Sequence, residues 1–196
     1  MFRIHFLDVG HGDTTLLQFD NGRTYLIDHH QVVGRTSPID YVVKTLGVKE
    51  LETVVVTHPH IDHFLGIQQL LEAIPIRQVW LSEALRTGLS YQAFERGLAL
   101  RQEIRVFFPH SGTSVAEGKD RIGVLAPPTN RHRGTLSDIN NASIVLKVTI
   151  PHPQQDTSTS AILGADAEIA SWNQILIEHG RHLQADLLKV SHHGSQ

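Results

Sequence analysis

Cysteine is absent from the 196 residues. Without a thiol there is no disulfide scaffold, no disulfide-linked partner and no thiolate metal site. Long apolar runs are missing too: nothing approaches the ~18–20 consecutive apolar residues that a membrane span needs. The N-terminal stretch Met1-Phe2-Arg3-Ile4-His5-Phe6-Leu7-Asp8 has no basic leader, apolar run or small-residue cleavage site, and it reads as a strand. A soluble, cytoplasmic protein is expected. An excess of charge is lacking as well. Seventeen Lys+Arg against 20 Asp+Glu leave a net charge of −3. That gives no footprint for tight non-specific nucleic-acid binding, although a local basic groove stays open. The 40% hydrophobic and 19% charged fractions are those of a globular chain, not a disordered one. What is abundant is histidine, 14 in all. Imidazole is the commonest metal ligand, so the question is where these side chains fall.

The chain is punctuated clearly enough to place them. Phe2 to Asp8, Thr14 to Phe19 and Thr24 to Asp28 read as strands, the last two joined by the turn Asp20-Asn21-Gly22-Arg23. A glycine-rich loop, Val9-Gly10-His11-Gly12-Asp13, precedes the second. Ser37-Pro38 and Gly47 bracket a short helix over Ile39 to Leu46. Leu51 to Thr57 is a β-branched, buried strand. Residues His63 to Ala73 follow helical spacing, with Phe64, Ile67, Leu70 and Leu71 on one face. Further strands are expected over 76–81, 104–108, 121–125, 142–150, 160–165 and 185–191, and helices over 91–101 and 167–179. Pro127 to Asp138 reads as a loop. Strands mixed with helices and hairpins indicate an α/β protein, and no linker or repeat divides it. One domain over residues 1–196 is expected.

The central feature is Thr57-His58-Pro59-His60-Ile61-Asp62-His63. It starts where an apolar strand ends and stops where a helix begins, which is where open α/β sheets place their chemistry. His58 and His60 can turn toward one ion, and Asp62 and His63 can face a second. Nitrogen and carboxylate donors without thiolate suit zinc, and also manganese or iron. Two more strand ends carry ligand types. Asp166 follows the strand over 160–165, and His192 and His193 follow the strand over 185–191. Taken singly, Asp166 would serve as a helix N-cap and the histidine pair as a solvated turn. Taken together, three such strand ends point to one edge of a sheet.

The series DVGHGD (8–13), LID (26–28), THPHIDH (57–63), NNASIVL (140–146), ILGAD (162–166) and KVSHHGS (189–195) resembles the metallo-β-lactamase superfamily. Within it, the series is similar to metal-dependent hydrolases like the soluble domain of the competence protein ComEC. The resemblance implies an αββα sandwich of two mixed β-sheets with one or two metal ions. It implies that His58 and His60 hold the first metal and that Asp62 and His63 hold the second. Asp166 would bridge the two, and His192 would complete the second site. Where the superfamily usually supplies a third histidine to the first metal, this chain has Asn140-Asn141, with His132 nearby. His11 stands where the ComEC-like branch commonly has Gln, and His29-His30 where it has a small Thr-Gly pair. These three imidazoles could bind metal, bind substrate or lie on the surface, the last being the first expectation.

Such a metal lowers the pKa of its water toward 7 and polarises the scissile bond, so the resemblance implies hydrolysis by a metal-activated water. Asp62 is placed to orient that water as well as to bind metal. His193 is a candidate to protonate the leaving group or contact a phosphate, and Asn141 to contact substrate. Asp8 and Asp13 could steady ligand histidines or cap the loop between them. The expected substrate is a phosphodiester, in a small molecule or a nucleic acid. A lactone, thioester or other acyl bond is the alternative, and a non-catalytic metal-binding regulatory module is a third reading. Arg131, His132 and Arg133 could form a basic lip for nucleic acid, or a solvated loop. Relatives with this layout continue with a further strand and helix, so the natural protein is expected to be longer than 196 residues, the present chain being truncated at its C-terminus.

Overall fold

In a computed structural model, residues 1–84, 88–129, 138–152 and 154–195 are described. By internal contacts the chain divides into two compact units: Met1–Leu81 with Arg86–Phe108, and Ser82–Leu85 with Pro109–Gln196.

The first unit is built on a six-stranded mixed sheet in the order β1-β2-β3-β4-β5-β6. Its strands are β1 (Arg3–Phe6), β2 (Thr15–Gln18), β3 (Thr24–Ile27), β4 (Leu51–Val56), β5 (Ile76–Leu81) and β6 (Arg105–Phe107). β1 to β3 form an antiparallel meander, because tight turns can join antiparallel neighbours. From β3 onward every pair is parallel, which requires the crossovers that carry the helices. Val54, Val55 and Val56 of β4 are fully buried, as expected of an unbroken β-branched run. The helices are α1 (Pro38–Asp40), α2 (Ile61–Phe64), α3 (Ile67–Ala73) and α4 (Leu89–Ala99). Phe64, Ile67, Leu70, Tyr91, Phe94 and Leu98 join Leu16, Leu26, Val54 and Val79 in one core cluster. Phe64 meets Tyr91 edge-on, with ring centroids 5.0 Å apart.

The second unit holds a five-stranded mixed sheet in the order β11-β10-β9-β8-β7. These strands are β7 (Ser114–Glu117), β8 (Asp120–Ala126), β9 (Val145–Pro151), β10 (Ser158–Leu163) and β11 (Leu187–Lys189). Only the β10–β11 pair is parallel, and α5 (Ile169–His179) is the crossover between them. Leu125, Ala126, Val145, Ile162, Ala167 and Ile175 form one of its core clusters, with Trp172 packed against it.

Two mixed sheets with helices agree with the expected fold class. Four points depart from expectation. The helix placed over 39–46 is a short α-helix that continues as one π-helical stretch, Tyr41–Thr45. The single helix expected from His63 to Ala73 is two, α2 and α3, separated at Leu65-Gly66. Gly66 sits at φ +88, and a side chain there would crowd the His29 ring at 3.0 Å. Strand β7 was not expected at all. The start of the strand expected at Ala142 is instead a 3-10 turn, Asn140–Ala142. Residues 130–137, including Arg131, His132 and Arg133, lie outside the described residues.

Candidate metal centre

In the first unit, β3 and β4 are parallel neighbours with Ile27 opposite Val55, so their carboxyl ends emerge side by side. Asp28 leaves one and Thr57-His58 the other. The Asp28 backbone N–H donates to Val55 O at 2.8 Å, which fixes the two ends together. Asp28 is buried and accepts three hydrogen bonds: from the Thr57 N–H at 2.8 Å, the Thr57 hydroxyl at 2.8 Å and His63 Nδ1 at 2.7 Å. Burial pushes its carboxyl above the ordinary carboxylate range, and the His63 and Thr57 contacts pull it back down.

This network sets the tautomers of two histidines. Because His63 Nδ1 donates to Asp28, its Nε2 presents a lone pair. The Thr57 hydroxyl proton goes to Asp28, so Thr57 Oγ1 can only accept from His58 Nδ1, 3.1 Å away. His58 therefore also presents an Nε2 lone pair, and it aims at His60 Nδ1 at 3.1 Å. The His58 ring lies 4.7 Å from the His60 ring and 4.1 Å from the His63 ring, centroid to centroid. Neutral imidazoles with one nitrogen pinned by an acceptor and the other turned to its neighbours are the donors a divalent ion takes. With carboxylate oxygen beside them and no thiolate, the residues fit zinc, manganese or iron. Asp62 Oδ2 lies 3.9 Å from His63 Nε2. Asp13, Asp28 and His63 each bring one ligand atom within 4.8 Å of the others.

Asp28, which nothing in the sequence singled out beyond its place in LID, is thus the organiser of this half. Its φ of +59 lies in the left-handed region, which Asp and Asn enter more readily than other side chains. The Asp13 side chain belongs to the histidine cluster. Asp8 does not: it is exposed, accepts from Gly10 N–H at 3.2 Å and pairs with Arg35 at 3.0 Å. His29 and His30, first expected at the surface, are buried. His29 Nδ1 donates to Leu65 O at 2.9 Å, and burial lowers its pKa to about 4. Burial lowers His30 as well, against the pull of Asp62. His11 alone of the three is exposed.

In the second unit the same logic recurs at β10 and β11, where Leu163 pairs with Lys189. Gly164 N–H donates to Lys189 O at 3.3 Å and His192 N–H to Ala165 O at 2.9 Å, which carries the pairing past the strand ends. Ser191 locks the junction: its hydroxyl donates to Gly164 O at 3.1 Å and accepts from Trp172 Nε1 at 3.0 Å. Asp166 is buried, and His193 Nε2 lies 3.7 Å from its Oδ2. His192 instead faces Glu168, Nδ1 to Oε1 3.3 Å, with Asn140 Nδ2 at 3.5 Å from its Nε2. So His193, rather than His192, is the imidazole beside Asp166 within this unit.

Asn141, expected to contact substrate, spends its carboxamide on α5. Its Oδ1 accepts from the Glu168 and Ser171 N–H groups at 3.2 and 3.0 Å, capping the helix. Its Nδ2 reaches Glu168 at 3.5 Å. Glu168, not singled out from sequence, ties Asn140, Asn141 and His192 together; it lies two residues past Asp166, where helix-start acids are common.

Among the described residues, four that are not glycine have positive φ: Asp28, Ala165, His192 and His193. Each costs about 1–3 kcal/mol in such a conformation. All four lie at, or directly before, a residue of the candidate centre. Such conformations persist only where the surrounding structure holds them.

Residues 7–145 match the metallo-β-lactamase superfamily. The chain belongs to that superfamily. A curated relative, the uncharacterized protein YcaI of Escherichia coli, is 26% identical over 197 residues, covering 99% of this chain and 22% of its own length. The chain therefore spans about a fifth of that protein. Among solved structures, a subclass B3 metallo-β-lactamase from a soil metagenome library superposes with a TM-score of 0.57 at 14% identity, covering 97% of this chain and 76% of its own. CmlA, a diiron β-hydroxylase from Streptomyces venezuelae, does so with a TM-score of 0.55 at 15% identity, over 93% of this chain and 33% of its own. At such identities the likeness is one of fold. Members of this superfamily bind one or two metal ions and are mostly hydrolases.

Proposed function

We propose that the chain is a metal-dependent hydrolase of the ComEC-like branch, acting on a phosphodiester as a nuclease or phosphodiesterase. The observation that carries the reading is the pair of imidazole nitrogens, His58 Nε2 and His60 Nδ1, 3.1 Å apart, with the His58 tautomer set by the Asp28–Thr57 relay. The motif series of the sequence supports the branch and, through it, the phosphodiester. We read residues 1–196 as a single metallo-β-lactamase-fold domain.

On this reading His58 and His60 hold one ion, Asp62 and His63 a second, and Asp166 and His192 complete the set. Zinc suits these donors, with manganese or iron as the other candidates. When bound, the metal supplies a water activated at neutral pH and polarises the scissile bond. Asp28 sets the tautomer of His63 directly and that of His58 through Thr57, and so aims both rings. Asp62, half-buried at the start of α2, accepts a hydrogen bond from the attacking water and orients it. Glu168 steadies His192 through Nδ1. His193, whose Nε2 lies 3.7 Å from Asp166 Oδ2, gives a proton to the leaving oxygen.

Assays on bis-p-nitrophenyl phosphate, single-stranded DNA and a panel of lactones and thioesters test the substrate class. Hydrolysis of the phosphodiesters, lost in His58→Ala/His60→Ala, is the expected result. Turnover confined to acyl substrates would replace the phosphodiester by an acyl bond. Bound metal with no turnover of any class would make the chain a binding or regulatory module.

A further inference from the structure

One imidazole outside the proposed ligand set lies within reach of a carboxylate that belongs to it. His11 sits at the tip of the Val9–Asp13 loop, its side chain 83% exposed, with Nε2 3.9 Å from Asp62 Oδ2. His63 Nε2 stands at the same 3.9 Å from that oxygen. A nitrogen and an oxygen so far apart are beyond hydrogen-bond distance, for which ~3.2 Å is the usual upper end. Two donors each ~2.0–2.2 Å from one ion, by contrast, stand ~3.3–3.6 Å apart at the tetrahedral angle and up to ~4.4 Å when opposed. The 3.9 Å between His11 and Asp62 falls inside that span, a few tenths of an ångström wider than the tetrahedral spacing.

The loop is held where this requires it to be. Asp13 N–H donates to Asp62 O at 3.2 Å, so the loop is bonded to the very residue whose side chain His11 faces. Gly12, at φ +152, lies so close that a Cβ there would stand 2.7 Å from Asp62 O and 2.1 Å from His30 Nδ1. His30 is buried beneath it, and its own N–H donates to Thr14 Oγ1 at 3.0 Å. His11 is thus one residue from a clamp made of Asp62 on one side and His30 on the other. A solvated turn needs no such anchoring.

We propose that His11 is a further metal ligand, adding an imidazole nitrogen to a divalent cation on the Asp62 side of the centre. The inference rests on the metal-centre reading above. The exposed ring can rotate to close the remaining distance, while the clamp keeps its Cα in range.

Titration with cobalt(II) alone tests it, following visible ligand-field absorption and competition with a chromophoric chelator. His11→Ala is expected to bind the Asp62-side ion at least about tenfold more weakly, the scale seen for lost support of metal ligands. Its absorption should also shift, because one nitrogen donor is replaced. His11→Gln should fall between the two. The metal-free unfolding midpoint should not move, since the side chain is exposed. Unchanged affinity and spectrum in His11→Ala, with cobalt binding lost in His58→Ala/His60→Ala, would overturn the role of His11 and leave the metal centre standing. Wild-type protein that takes up no cobalt would overturn both.

Discussion

Asp28 does more for the candidate centre than any residue that would touch an ion, because it decides which nitrogen of two histidines carries the proton. Replacing it by Asn keeps the shape but makes one terminal atom a donor. The His63 Nδ1–H and the two Thr57 donors can then no longer all be accepted. Asp28→Asn should weaken metal binding by about 10–100-fold; isothermal titration with zinc would read it, and wild-type affinity would refute the relay. His29 allows a pH prediction. Its pKa is about 4 in the fold against 6.5 ordinarily, so the unfolded chain takes up the proton first as pH falls. Stability carried by neutral His29 is present above pH 6.5 and is lost between 6.5 and about 4. The loss amounts to roughly 3 kcal/mol. Urea unfolding at several pH values should show a shallower decline over that window for His29→Leu than for wild type; parallel curves would refute it. The sequence displayed His58, His60, Asp62 and His63 openly, because ligand types at fixed spacing stand out against an apolar strand. It concealed Asp28, Thr57 and Glu168, which look like ordinary strand-end and cap residues until the partner elements are placed beside them.

At the scale of elements, the strands were legible from β-branched composition and alternation, and most of their bounds shift by only one to three residues. What escaped was set by tertiary context. The stretch from His63 to Ala73 has unbroken helical spacing, but Gly66 turns left-handed to let His29 and Gln31 pack against it, and one helix becomes two. β7 has an exposed, weakly apolar pattern that only its pairing with β8 makes a strand. The buried places of His29 and His30 were unreadable for a related reason: an imidazole is buried or exposed according to whether a carbonyl such as Leu65 O waits for it. The close approach at Gly12 gives a further test. Gly12→Ala drives a methyl into His30 and the Asp62 carbonyl, so it should destabilise the fold by at least about 2 kcal/mol. Thermal denaturation measures this. A wild-type midpoint would mean that the loop is not clamped on Asp62.

For the molecule as a whole, two mixed sheets with their helices and membership of the metallo-β-lactamase superfamily frame the account. Among the described residues, no helix is long and apolar enough to cross a membrane. An ion that binds the folded chain and not the unfolded one must stabilise it, by about 2.7 kcal/mol at a hundredfold excess over its dissociation constant. The thermal midpoint should therefore rise with added zinc and fall with a chelator. The most direct measurement is the metal-to-protein ratio of the purified chain by elemental analysis, beside that of His58→Ala/His60→Ala. At least one transition-metal ion per wild-type chain is expected, and less in the variant. An equal ratio in the two proteins, or a metal-free wild type that still hydrolyses its substrate, would contradict it.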